Sequence, residues 1–424
     1  MSYGQSVFVS DAPISDPAQD RFNRLWFAKR VARTISGRQD PSSLVIAIHG
    51  AWGDGKTTAL NFIGRELRCF PNIIALPFNP WRFASERSLL NCFFTSLAKS
   101  LELNLSTSAE EAATTVGHYG ELVQRLSSGA GLAAEAVNEG LAAIDIEEQK
   151  RRIAEILVQN QKKVVILIDD IDRLDEGTMH AVFRLAKLTA DFDNAVYMLA
   201  FDAEIVASVI GERFTASTGK RSQAGRDFLE KIVQVPLNLP AVPAAALRKF
   251  AFESVTEALN VARVTITDSD ASDFNRLFHE GLEIRLKTPR MAKRFGNALA
   301  FTLAINSGEV NTVEMMLIEG TRVFYPNAYE AIRRNRDILA TMGVTDGVDL
   351  DRNERIQRFL AAARKGLTAV EASALQRLLT ALFPRLRGRI RYDPEEEAEW
   401  AKERRITSPE YFDRYFSYAL LSKD

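Results

Sequence analysis

Cysteine is nearly absent. Cys69 and Cys92 are the only two in 424 residues, too few for a disulfide framework or a structural zinc site, and in keeping with a reducing compartment. Both are expected as small buried residues. A surplus of one charge is lacking too. Lys and Arg number 54 against 55 Asp and Glu, so no global field draws the molecule to nucleic acid or an anionic membrane, and any such partner must be met by a local patch. Long hydrophobic runs are missing: VVILI and ALAFTLAI fall well short of the ~20 residues a spanning helix needs. GAGLAAEAVNEGLAAI is also too short, and Glu135 and Glu139 interrupt it. The first residues, MSYGQSVFVSDAPISD, lack the basic start and apolar core of an export signal. The expectation is a cytoplasmic protein without a membrane partner. No internal repeat or low-complexity tract is found.

What is present is ordinary globular material, 46% hydrophobic, enough for cores in two or three domains. Five β-rich runs alternate with helical patterns: LVIAI (44–48), NIIALPF (72–78), VVILID (164–169), AVYMLAF (195–201) and IVQVPL (232–237). Such alternation predicts an α/β fold, a parallel sheet with helices on both faces. The third and fourth runs are almost continuously apolar, as strands buried on both faces should be. A helical insertion is expected over about 100–161, and after Pro240 the strands stop. AVPAAALRKFAFESVTEAL, TPRMAKRFGNALAFTLAI and VEMMLIEGTRVF read as amphipathic helices. The chain therefore divides into an α/β domain at 1–240, with a linker element at 1–43, a helical lid-like domain at 241–320, and a helix-rich extension at 321–424.

Between the first strand and its helix, Gly50, Gly55, Lys56 and Thr57 fit GxxxxGK[ST] in the strand-to-helix context this phosphate loop requires. Glycines let backbone N–H groups face one concavity, and the helix N-terminus adds partial positive charge. The cradle would run through Gly50, Ala51, Trp52, Gly53, Asp54 and Gly55 into Lys56, Thr57 and Thr58. Lys56 would neutralise β and γ phosphates, and the Thr57 hydroxyl would hold Mg²⁺. The plain alternative is a glycine-rich turn. VVILIDDIDR supplies the acids: Asp169 for the metal, Asp170 to polarise an attacking water, Asp172 as the rival base. These acids would otherwise cap the next helix, a place Asp175 fits better. Arg173 is a partner that positions the carboxylates, a contact to a neighbouring subunit, or a plain ion pair. Asp202 ends the fourth strand, where it would sense the γ phosphate or cap the next helix. With no NKxD sequence, ATP is favoured over GTP. Farther on, Thr288 and Pro289 predict N-cap and N1 of a helix that puts Arg290, Lys293 and Arg294 near its start. Cations there oppose the helix dipole unless an anion compensates. Nucleotide phosphate reached by Arg290 or Arg294 is one candidate; a solvated basic surface is the other.

FNPWRF, VVILIDDIDRL, AVYMLAFD, LEKIVQVPLNLP, SPEYFDRYFSYAL and the early DAPISD, with the phosphate loop, cover most of the chain. Together they resemble the KAP family of P-loop NTPases, related to AAA+ and STAND ATPases. The resemblance implies a P-loop NTPase parallel β-sheet core flanked by helices, with a C-terminal all-helical domain. It implies a Walker B strand separated from the Walker A strand by the sensor strand, with phosphates at the carboxyl ends. It also implies an ATP- and Mg²⁺-dependent switch acting through a homo-oligomer, and a link to bacterial defence against phage. Arg226, with Lys231 nearby, stands roughly where related ATPases present an arginine finger; Trp81 is expected to anchor a helix in the core. Two departures stand out. Some members carry transmembrane helices between the Walker motifs, where this chain has its insertion. Members often continue past the YFDRYFSYA-like segment, whereas this sequence stops eight residues after Phe416, as a compact member or one without an effector region would.

Two surfaces invite partners. RLRGRIRY spaces four arginines two apart, from Arg385 to Arg391, so that an extended strand would carry a basic ridge for a phosphate backbone or a solvated edge. Tyr411, Phe412, Tyr415, Phe416 and Tyr418 follow helical spacing, as core packing or a subunit contact would. An effector protein and nucleic acid stay open as partners beside ATP and ADP. The rival functions are an ATP-gated scaffold with negligible turnover, a nucleic-acid-stimulated ATPase or loader, and a small-molecule kinase.

Overall fold

The computed structural model describes residues 12–83, 86–105, 150–212, 221–306, 308–340, 349–387 and 394–417, with single positions 114, 116, 117 and 148. Two compact units divide the chain near Ala241 and Val242. The first is built on five parallel strands: β1 (Leu44–His49), β2 (Ile73–Phe78), β3 (Lys163–Ile168), β4 (Ala195–Phe201) and β5 (Val235–Asn238). Their order is β2-β3-β4-β1-β5, so β4 separates the strand carrying the acids from the strand carrying the glycine loop, as the resemblance implies.

Hydrophobic patterning decides these places. Every residue of β4 is buried, and β3 is buried after its first residue, because both are interior strands covered on both faces. At the edge, β5 alternates half-buried and exposed residues. On β1, Val45 and Ala47 enter one apolar cluster while Ile46 and Ile48 enter the other, following the two-residue period of a strand. Helices α1 (Arg24–Gly37) and α2 (Lys56–Leu67) cover the second face; α3 (Glu86–Asn104) and α4 (Glu176–Arg184) cover the first. Between the helices Ala203–Gly211 and Arg221–Ile232 the backbones nearly touch, since a Cβ on Gly225 would lie 1.9 Å from the carbonyl oxygen of Ala207.

Several expectations are corrected here. The fifth strand begins at Val235, not 232, because Ile232 ends a helix and is buried with Val233. Gln234 bridges the gap by accepting the Val45 N–H at 2.6 Å and donating its own N–H to the Val45 carbonyl at 3.0 Å. Cys69 is exposed just past α2, and Cys92 is half-buried. Of the expected insertion, 100–104 continue α3 and 150–159 are helical; most of its remainder, Glu135 and Glu139 included, lies outside the described residues.

From Val242 onward the second unit contains no strand among its described residues. Helices Ala244–Ala262, Pro289–Asn306, Thr312–Phe324 and Ala369–Leu382 dominate it. The expected strand at RLRGRIRY is not formed in its first half. Pro384, which cannot donate to a ladder, opens a 3₁₀ turn to Arg387. Arg385 is buried, ion-paired to Glu397 at 2.5 Å and set 5.5 Å from the Trp400 ring centre; Arg389 and Arg391 lie outside the described residues. The aromatic terminus is a 3₁₀ turn, Phe412–Tyr415, not an α-helix. From this turn the buried Tyr415 hydroxyl donates to the Arg404 carbonyl at 2.8 Å. No helix among the described residues is long and apolar enough to cross a membrane.

Candidate functional site

The carboxyl ends of β1, β3 and β4 lie side by side in register, so the segments leaving them meet at one edge of the sheet. The turn after β1 takes its shape from two glycines at φ 93°, Gly53 and Gly55, a region where a side chain is strained. Asp54 stabilises the turn from within by accepting the Ala51 N–H at 2.8 Å, and burial pushes its carboxyl up from the ordinary range. Lys56 opens α2 with its ammonium buried inside the same concavity. Its Nζ donates to the Gly50 carbonyl at 3.0 Å and the Ala51 carbonyl at 3.4 Å, and lies 3.5 Å from Asp172 Oδ2. The Thr58 hydroxyl accepts the Ile14 N–H at 3.2 Å, tying the segment before α1 to the loop. Trp52 is 62% exposed.

On the β3 side, Thr57 and Asp169 line the same cavity, and the Thr57 hydroxyl acts to lower the Asp169 pKa. Asp169 Oδ1 accepts the Asp170 N–H at 2.8 Å. Burial nonetheless raises the Asp169 carboxyl above its usual range, and the neighbouring Asp170 and Asp172 push the same way. Asp172 is drawn inward: its side chain is 7% exposed, faces Lys56, and accepts the Asp202 N–H at 3.3 Å. Asp170 faces outward at φ 57° and pairs with Arg173 at 2.9 Å. With Thr57 and Asp169 it lines one end of a cavity of about 780 Å³ that also touches Arg65, Arg68 and Arg82. Asp175 caps α4 as expected, accepting the Thr178 N–H at 3.1 Å. Asp202 caps the helix that follows β4, with the Glu204 N–H at 3.1 Å, so the capping role considered for it is present.

A model of the KAP family P-loop domain matches residues 24–306. The chain belongs to the KAP family of P-loop NTPases. The phage T7 exclusion protein of Escherichia coli (strain K12) is 25% identical over 398 residues, covering 84% of this chain and 52% of that protein. The chain thus spans about half the length of that curated relative. Among solved structures, ORC2 of Aeropyrum pernix, in ADPNP–ADP complexes, matches with a TM-score of 0.35 at 13% identity, over 90% of this chain and 89% of that one. Thermotoga maritima RuvB matches with a TM-score of 0.33 at 14% identity, over 90% and 94%.

For a KAP P-loop the donor set suits Mg²⁺. One hydroxyl and one desolvated carboxylate lining the same cavity form an incomplete oxygen shell, which fits an ion that keeps waters and takes phosphate oxygens. No caged cluster of His, Cys, Asp or Glu occurs among the described residues. Arg226 is exposed and paired to Glu204 at 2.7 Å, with Lys231 later on the same helix. Arg290 and Arg294 belong to the second unit, on the helix Pro289–Asn306, whose start Thr288 caps by accepting the Met291 N–H at 3.3 Å. Trp81 corrects an expectation, being 57% exposed. Asn79 and Pro80 fold the exit of edge strand β2 into a 3₁₀ turn that aims the indole outward, with the Arg173 guanidinium 5.5 Å from its ring centre.

Two residues escaped the motif reading. Arg24, 3% exposed, opens α1 and donates to the Asp54 carbonyl at 2.9 Å and to the Pro240 carbonyl, bracing the phosphate loop against the end of β5. Nothing in its local sequence marks it, since both acceptors are backbone. His49 ends β1 immediately before the loop; burial lowers its pKa, and its Nε2 is buried without a hydrogen-bond partner among the described residues.

Proposed function

We propose that this KAP protein is a Mg²⁺-dependent ATPase that uses hydrolysis as a conformational and oligomerisation switch. The observation carrying the reading is that Thr57 and Asp169 line one cavity, which supports a shared metal position between the Walker A helix and the Walker B strand. When bound, Mg²⁺ would neutralise charge on the β and γ phosphates. Lys56 would leave its own loop carbonyls and Asp172 for those phosphates, and the Gly50–Gly55 amides with Thr58 would frame them. Asp170 is favoured over Asp172 as the base because Asp172 is held by Lys56 and the Asp202 amide, whereas Asp170 lines the cavity. Water oxygen attacks the γ phosphorus, the bond from that phosphorus to the β–γ bridging oxygen breaks, and the water proton passes to the Asp170 carboxylate.

Arg226 would act across a subunit contact, and Arg290 or Arg294 would let a lid-like 241–320 region sense the γ phosphate. A role in excluding phage is supported by the exclusion protein alone, at 25% identity and 52% of its length, and a cytoplasmic setting is supported by the two cysteines, which suit a reducing compartment. The test is phosphate release with Mg²⁺ and ATP, together with the mass of the assembly in apo, ADP and non-hydrolysable ATP states. Release that EDTA and Lys56→Ala both abolish is expected, with a larger assembly in the triphosphate state. Release equal in wild type and Lys56→Ala would overturn the reading.

A further inference from the structure

Trp81 is an exposed tryptophan in a rigid setting. Pro80 fixes the backbone entering its turn, Asn79 Oδ1 accepts the Trp81 N–H at 3.0 Å, and the Phe83 N–H closes the turn on the Pro80 carbonyl at 3.1 Å. The register explains its neighbour. Phe78 on β2 pairs with Ile168 on β3, so residues 79–82 and 169–173 leave the sheet alongside each other. Arg173 lies in that second segment, between the Trp81 ring and Asp170. Its guanidinium carbon is 5.5 Å from the ring centre and its Nε is 2.9 Å from Asp170 Oδ1. The Arg173 N–H also bonds the Asp170 carbonyl at 3.1 Å, so backbone and side chain hold the same residue. Contacts thus run from Asp169 through Asp170 and Arg173 to Trp81 at the surface, with Thr57 lining the same cavity as the two acids.

We infer that Arg173 is a positioning residue for phosphoryl transfer to water, seated on Trp81 and holding Asp170 by one carboxylate oxygen so that the other is aimed at the attacking water. The inference rests on the ATPase reading and deepens it. A guanidinium is suited to this task because its edge donates while its face rests on an aromatic ring. An ion pair alone on a half-exposed side chain would sample many geometries; the indole removes that freedom, and small displacements of a reacting group cost large factors in rate.

The test is steady-state hydrolysis with Mg²⁺ and ATP, alongside calorimetric ATP affinity, for Trp81→Ala, Trp81→Phe, Arg173→Ala, Arg173→Lys, the double alanine variant, and Trp81→Ala in an Asp170→Asn background. Expected is a kcat loss of about tenfold for Arg173→Ala and about threefold for Trp81→Ala, with KM and ATP affinity unchanged. Trp81→Phe and Arg173→Lys should recover part of each loss. The double variant should be no slower than Arg173→Ala, and Trp81→Ala should cost nothing further once Asp170 is Asn. Multiplied losses in the double variant, or full activity in both single alanine variants while Asp170→Asn is slow, would overturn the positioning role and leave the base assignment standing. A wild-type rate in Asp170→Asn, or no turnover in the wild type, would sink the underlying reading and the inference with it.

Discussion

Two buried ion pairs, one in each unit, are made differently. In the sheet unit Lys56 and Asp172 stand 3.5 Å apart, and the ammonium leans on two loop carbonyls at 3.0 and 3.4 Å. In the helical unit Glu314 uses both oxygens at close range: Oε1 accepts from Arg405 Nε at 2.7 Å and Oε2 from the Ile406 N–H at 2.7 Å. Burial pushes the Glu314 carboxyl up, against the pull of Arg405 and the Ile406 amide. The first pair is long and adjustable, and its ammonium is a group that a phosphate could draw away. The second is a staple that fastens the chain near 405–415 to the helix Thr312–Phe324. A buried charge pair serves chemistry when its contacts are loose enough to be exchanged, and structure when they are saturated.

The largest effect that would test this contrast is on the staple. Glu314→Ala leaves Arg405 and the Ile406 amide without their partner, and should destabilise the second unit by about 3–5 kcal/mol, read by denaturant unfolding, with ATP affinity of the folded protein unchanged. A loss under about 1 kcal/mol would show the pair is no staple. Lys56→Ala should act in the opposite sense, weakening ATP binding by ~100-fold or more, since a phosphate cradle without its cation loses a desolvated charge contact. Unchanged affinity by calorimetry would remove the exchangeable pair from the argument. Asp170→Asn should slow turnover by at least about tenfold while binding persists. If Asp172→Asn is the crippled variant instead, the inward acid is the base and the distinction between held and free carboxylates is wrong.

How much of this was legible depended on range. Strands β3 and β4 declared themselves because strands covered on both faces are apolar throughout, and the meeting of Thr57 and Asp169 on one cavity follows from where a strand-loop-helix and a second strand must end. Arg24 was silent. Its acceptors are the carbonyls of Asp54 and Pro240, 30 and 216 residues away, and a backbone acceptor leaves no trace in side-chain spacing. Trp81 was misread because tryptophan is usually packed away; only the place of β2 at the sheet edge and the companion segment after β3 turn it outward. RLRGRIRY was misread because two-residue spacing fits a strand as well as it fits arginines used one at a time. Arg385 went inward to Glu397, which lies beyond the reach of any local pattern.

The smallest effect separates a third kind of charged contact from the two pairs. Glu371 closes a capping box with Thr368 and also accepts from Arg285 at 2.9 Å and Lys287 at 3.0 Å. The Thr368 N–H first, then the two cations, hold its carboxyl down at about 2. Because the folded value lies below the unfolded one of about 4.3, the ionised form is the stabilised one. Its contribution is full above the unfolded value and is lost as pH falls toward the folded value. Glu371→Gln can still accept the Thr368 N–H but carries no charge, so at neutral pH it should cost only about 1 kcal/mol. That difference from wild type should shrink steadily in unfolding experiments from about pH 5 down to about pH 2. A difference constant across that window would mean that hydrogen-bond geometry, not charge, sets the stability of this contact, and would group Glu371 with neither of the buried pairs.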